Sequence, residues 1–167
     1  MLFRSGSGKD TNGKDMGIAP GAQLVVLKVL DSHGNGTVAN VMAALDWLAV
    51  YGPFHKVRVV NLSFGARPLD QPDKDPLALA AKVLVDRGIV VVAAAGNDGN
   101  SNGKKVWGGI PSPADAPWVL TVGASSSMGT LSRKDDQLAS FSSRGPAVGR
   151  IAKPDVVASG VGIVEPI

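Results

Sequence analysis

The sequence predicts an α/β fold built on a mostly parallel sheet with helices on its faces. Three observations carry this. Short runs of β-branched and aliphatic residues recur along the 167-residue chain. Segments with helical periodicity and recognisable caps lie between them. Polar, glycine-bearing loops follow the runs. Strands alternating with helices in this way argue for parallel pairing with helical crossovers, right-handed by default.

The elements follow in order. Residues 1–16 are polar and rich in Gly, Lys and Asp, and read as an exposed loop, with a core over 17–167. Residues 24–30 (Leu-Val-Val-Leu-Lys-Val-Leu) read as a strand buried on both faces. Thr37 caps a helix running to about Val50, with apolar residues at Val38, Val41, Met42, Leu45, Leu48 and Ala49. Gly52 and Pro53 end it. Residues 57–64 form a second strand. Asp75 followed by Pro76 is a strong helix start, and the helix runs to Arg87, with Gly88 as its stop. Residues 89–95 (Ile-Val-Val-Val-Ala-Ala-Ala) form the third and most apolar strand, and residues 96–100 a sharp turn. Residues 118–123 are a fourth strand, 139–146 a shorter extended piece, and 153–157 the start of another.

Composition narrows the function. The charge balance is 17 basic against 14 acidic residues, net +3, with the basic residues scattered, so no nucleic-acid stripe appears. No apolar run approaches the ~18 residues of a membrane span. The absence of cysteine excludes disulfides, thiolate metal sites and thiol catalysis. Two histidines argue against a multi-histidine metal centre. His33 and His55 both read as solvated loop residues.

Three constellations bear on chemistry. Gly34-Asn35-Gly36-Thr37-Val38-Ala39 fits the G-x-G-x-x-A dinucleotide pattern. However, the first glycine lies four residues past Leu30, and no acidic residue ends the second strand. A loop feeding a helix cap accounts for it. Ser7-Gly8-Lys9 lacks the upstream glycine and strand of a P-loop. No Gly-x-Ser-x-Gly nucleophile elbow occurs. Finally, Asn97 follows the small residues Ala93, Ala94, Ala95 and Gly96 at a strand end. Small residues there admit another backbone, and an asparagine amide can face a developing oxyanion; an ordinary Asn-Asp-Gly turn is the alternative.

Eight blocks in order resemble the subtilisin-like serine proteases (subtilases, peptidase family S8). They are residues 17–22, 27–31 with Gly34-Asn35-Gly36, 60–65, 88–97, 111–117, 122–124, 139–146 and 153–158, and the resemblance covers about residues 6–167. It implies the subtilisin-like three-layer fold, a mostly parallel sheet with helices on both faces, here incomplete at both ends. It implies peptide-bond hydrolysis by a Ser-His-Asp mechanism, with Asn97 as the oxyanion-hole residue. Gly34, Asn35 and Gly36 then pair with one edge of an extended substrate, and Ser63, Phe64 and Gly65 with the other. Ala95, Gly96 and Gly109 line the pocket for the residue before the scissile bond.

The family's triad motifs are not found in these 167 residues, and neither His33 nor His55 matches the triad histidine. The expectation is an internal piece of a protease that does not hydrolyse peptides alone. It should leave apolar faces of strands 24–30 and 89–95 uncovered. A degenerate subtilase acting as a peptide-binding module is the alternative, with a nucleotide-binding α/β domain behind it. Partners are extended peptides or proteins, with no nucleic acid and no membrane. The resemblance admits calcium, but the loop bearing Asp10, Thr11, Asn12 and Asp15 lacks calcium-loop spacing.

Overall fold

A computed structural model describes residues 17–163. Residues 27–161 form one compact unit, and the described residues 17–26 and 162–163 belong to a second. The expected loop at 1–16, including Ser7, Gly8, Lys9 and Asp10 to Asp15, lies outside the described residues.

Helix α1 spans Val38–Tyr51. The Thr37 side chain accepts a hydrogen bond from the Asn40 amide and so satisfies one free donor of the first turn. Its buried stripe is Val41, Leu45, Leu48 and Ala49, at helical spacing. Strand β1 (Val59–Leu62) follows, then α2 (Pro76–Asp86), capped by Asp75 with Pro76 at the first position. Leu77, Ala78, Ala81 and Leu84 form its buried face.

Strand β2 (Val90–Ala94) lies parallel to β1, with Val60 beside Val91 and Leu62 beside Ala93. A hairpin comes next, β3 (Asn100–Ser101) and β4 (Lys104–Lys105). Strand β5 (Leu120–Ser126) is parallel to β2 on one edge and to β7 (Val156–Ser159) on the other. The two-residue β6 (Gln137–Leu138) runs antiparallel to β5. Ser125 faces both Leu138 and Ser159. A strand has two edges, so β6 lies on the β2 side of β5. The parallel order is therefore β1-β2-β5-β7.

Alternation along the strands divides the sheet. Val60, Leu62, Val91, Ala93 and Thr121 point to a buried side, where the aliphatic ones join α1 and α2 in one core. Trp118 Nε1, just before β5, donates to the Ala78 carbonyl of α2 at 2.9 Å, and the Arg87 guanidinium at the end of α2 donates to the Ala49 carbonyl of α1, tying the two helices together. Residues of opposite alternation, Val59, Val90, Leu120 and Val156, are exposed. Among the described residues, both α-helices cover the first side.

Three expectations are corrected. Residues 24–30 form no strand and are not buried. An extended run becomes a strand only when a neighbour takes up its backbone groups, and β1 pairs with β2 alone. Residues 139–146 are turns and irregular chain; the ladder lies just before them, in β6. The terminal strand starts at Val156 rather than Lys153, because the buried Lys153 turns inward to bind the Val119 carbonyl and Asp155, both at 2.7 Å.

Candidate functional site

Apart from Gly109, which lies between β4 and β5, the expected site residues occupy loops at the carboxyl ends of β1 and β2 and the loop entering α1, the usual place for ligands in open α/β sheets. Beyond β1, the backbone amides and carbonyls of Ser63, Phe64 and Gly65 have no hydrogen-bond partner among the described residues. Ser63 and Gly65 are exposed. The segment is nonetheless held at both ends. Asn61 Nδ2 donates to Ser63 Oγ at 2.9 Å. Ala66 and Ser112 exchange two backbone bonds of 2.9 Å each, and Ser112 Oγ donates to Asp75 Oδ1 at 2.8 Å. At Gly65, a Cβ would stand 2.6 Å from Pro111 Cγ, so the close approach of that proline requires glycine.

Beyond β2, Ala95 is buried and donates to the Val122 carbonyl at 2.9 Å. Gly96 has φ +95°, and a Cβ on it would meet Ser143 Oγ at 2.9 Å and Pro111 Cδ at 3.2 Å. Both conditions demand glycine. Asn97 is exposed, and its side-chain amide has no hydrogen-bond partner among the described residues. Gly109 lies opposite: its own Cβ position is 3.2 Å from Asp98 Cβ and 3.6 Å from Ser143 Oγ. The fold thus gathers Gly65, Gly96 and Gly109 around Pro111 and Ser143.

Gly34, Asn35 and Gly36 form a separate exposed loop. Asp31 organises it, its Oδ1 accepting from the amides of His33 (2.8 Å) and Asn35 (2.9 Å), with its own amide donating to the Asn35 carbonyl at 2.8 Å. Asn35 therefore spends both backbone groups inside the loop, while the Gly36 amide has no partner among the described residues. No hydrogen bond joins this loop to Ser63, Phe64 or Gly65 among the described residues. An open cavity of about 480 Å³ adjoins it, lined by Lys28, Leu30, Asn35, Gly36 and Thr37 among others.

Sequence reasoning missed the hairpin at residues 100–105, although Asn102-Gly103 is a strong turn signal between two short strands. It also missed Ser143 and Arg144 as supports of the Asn97 loop, and nothing local in the sequence announces them. His33 lies exposed in the Asp31 loop, and His55 is exposed and stacks on Trp47 at 5.5 Å. Neither approaches a catalytic arrangement. No group of three His, Cys, Asp or Glu side chains that could hold a metal occurs among the described residues, and the Asp10 to Asp15 loop lies outside them.

Buried beneath the cleft are two carboxylates with opposite behaviour. Burial alone would raise the Asp75 pKa, but bonds from the Leu69, Ala78 and Leu77 amides and from Ser112 hold it below its usual value. Asp115 is fully buried, and neither carboxylate oxygen has a hydrogen-bond partner among the described residues. Desolvation, with the nearby Asp75 charge, pushes its pKa up to about 6.

The profile described as the Subtilase family matches residues 6–165. This chain belongs to the subtilase family. The Serine protease AprX of Bacillus subtilis (strain 168) is 38% identical over 164 residues, covering 95% of this chain and 36% of that protein. Subtilisin-like protease 1 of Trichophyton verrucosum is 33% identical over 171 residues, covering 97% of this chain and 37% of its own length. Among solved structures, Sphericase superposes with a TM-score of 0.75 at 24% identity, over 95% of this chain and 50% of its own. The S41 Psychrophilic Protease gives 0.71 at 25% identity, over 89% and 47%. This subtilase chain therefore spans a little over a third of those curated relatives and about half of the solved neighbours. The subtilisin-like fold class, with its mostly parallel sheet and helices, is the one these structures share.

Proposed function

We propose that this chain supplies the substrate cleft and oxyanion donor of a serine endopeptidase. The observation that carries the reading is the backbone of Ser63, Phe64 and Gly65, without partners among the described residues, exposed at Ser63 and Gly65, and fixed at both ends. An extended peptide can add to such an edge as a further strand, main-chain bonds giving affinity and alternate side chains specificity. The free Gly36 amide offers a contact on the other side, with Gly34 and Asn35 shaping that loop. The residue before the scissile bond would then sit by Ala95, Gly96 and Gly109, where absent or small side chains leave room.

Asn97 would direct its side-chain amide at the carbonyl oxygen as it becomes an oxyanion. Such a donor acts in the transition state; losing one costs about 10²–10³-fold in turnover, the magnitude known for subtilisin. The general base and nucleophile of the Ser-His-Asp mechanism are assigned to no residue of these 167. The cleft and the oxyanion donor bind and stabilise, and peptide hydrolysis would require the triad to be supplied as well. The substrate class is an extended peptide or protein segment. No cofactor enters this reading, and calcium has no assigned ligands.

The test is titration of the ¹⁵N-labelled chain with an uncharged extended hexapeptide. Saturable shifts at the amides of Ser63, Phe64, Gly65 and Gly36 are expected, with no cleavage of the peptide. Shifts confined elsewhere would overturn the cleft. Cleavage blocked by a serine-directed inhibitor would show a nucleophile among these 167 residues and overturn this reading.

A further inference from the structure

The Asn97 side chain has no partner among the described residues, so its direction is set by the peptide groups on either side. Both are held by one remote segment, residues 141–144. The Ser143 amide donates to the Gly96 carbonyl at 3.0 Å, immediately before Asn97. The Asp98 amide, immediately after it, donates to Ser143 Oγ at 2.9 Å. One residue further on, the Gly99 amide donates to the Phe141 carbonyl at 2.9 Å, and Arg144 Nη1 donates to the Gly99 carbonyl at 2.6 Å. The same segment holds the opposite wall, where the Gly108 amide donates to the Arg144 carbonyl at 2.8 Å.

Ser143 is the centre of this arrangement. It is fully buried, and its hydroxyl lies against the Cβ positions of both Gly96 and Gly109. Ser142 provides a contrast. It is equally buried, but its Oγ accepts from the Ala124 amide of β5 at 3.0 Å and so serves the sheet.

We propose that Ser143 is the positioning residue for Asn97, clamping the peptide groups before and after it so that the asparagine amide is aimed before substrate arrives. The proposal rests on the reading of Asn97 as an oxyanion donor. Its physical basis is that oxyanion stabilisation depends on donors held at about 2.7–3.1 Å from the developing charge without reorganisation. A displacement near 1 Å in such a site costs about 10²-fold. Arg144 supports the clamp one residue later, its guanidinium bonded to the Gly99 and Ser140 carbonyls.

The experiment compares the wild-type chain with Ser143→Ala and Ser142→Ala by amide hydrogen exchange and by ¹⁵N relaxation of the Asn97 side-chain amide. In the wild type, the Asp98 amide is expected to exchange at least about tenfold more slowly than its unpaired neighbour Asn97. Ser143→Ala abolishes that protection and lowers the Asn97 order parameter, while Ser142→Ala leaves both unchanged. Equal responses from the two variants overturn the proposal. If Ser143→Ala does not fold, the wild-type measurement decides, and an Asp98 amide as fast as that of Asn97 overturns it. Peptide titration reports separately on the cleft, so a failed cleft with an intact clamp is recognisable.

Discussion

The two faces of the sheet are built from the same residue types and have different fates. On one face, Val60, Leu62, Val91 and Ala93 are between 1% and 8% exposed beneath α1 and α2. On the other, Val59, Val90, Leu120 and Val156 are 58%, 49%, 39% and 48% exposed. Valine, leucine and strand propensity do not distinguish them. What differs is whether a helix lies within reach, and among the described residues both α-helices lie on the same side. An apolar side chain stabilises a fold only through the area it loses to neighbours. The other face instead presents exposed apolar side chains from β1, β2, β5 and β7, of the kind that promote association.

The largest effect should come from the covered side. Leu84→Ala, at a fully buried position of α2, is expected to cost about 2–5 kcal/mol in denaturant unfolding. A cost below 1 kcal/mol would mean that the helix layer is not packed as described.

Asp75→Ala comes next, at about 2 kcal/mol. It removes the cap of α2 and leaves the Leu69 amide and Ser112 hydroxyl unpaired. Because its folded pKa lies below the unfolded value, the Asp75 contribution is present above the ordinary carboxylate value of 3.8 and is lost as pH falls through the folded value. Asp75→Ala should remove that acid limb of the unfolding curve.

Asp115 behaves in the opposite sense. The folded chain binds more protons than the unfolded chain between pH 3.8 and about 6. The Asp115 contribution to stability is therefore fully present below that window and is lost as pH rises through about 6. Asp115→Asn should flatten the thermal midpoint between pH 4 and 7, read by circular dichroism. An unchanged slope would show that the carboxyl is not buried without partners.

The smallest effect belongs to the bare face. Val90→Thr should change stability by no more than about 0.5 kcal/mol, the scale of surface substitutions. It should, however, reduce binding of an apolar dye and concentration-dependent association. A loss comparable to Leu84→Ala would show that this face is covered after all.

Much of the fold was legible because its signals are local. Thr37, Asp75-Pro76 and Gly88 mark helix ends through bonds spanning a few residues, and the structure places the helices where those residues put them. The apolar run at 89–95 contains β2, and the loops carrying Ser63 to Gly65 and Gly96 to Asn97 do follow strands. The run at 24–30 was misread because its composition is that of a strand while no described partner pairs with it. The hairpin at residues 100–105 was legible and overlooked.

The sequence by itself determined the helices, most strand positions and the family, because caps, periodicity and an ordered set of motifs are properties of neighbouring residues. Only the tertiary structure decided which face of the sheet is covered, that Asp75 has four partners and Asp115 none, and that Ser143 straddles Asn97. Those outcomes depend on groups brought together across the chain, such as the Ser143 hydroxyl and the Asp98 amide 45 residues apart. Burial and hydrogen-bond satisfaction are set by such remote neighbours, and no local pattern encodes them.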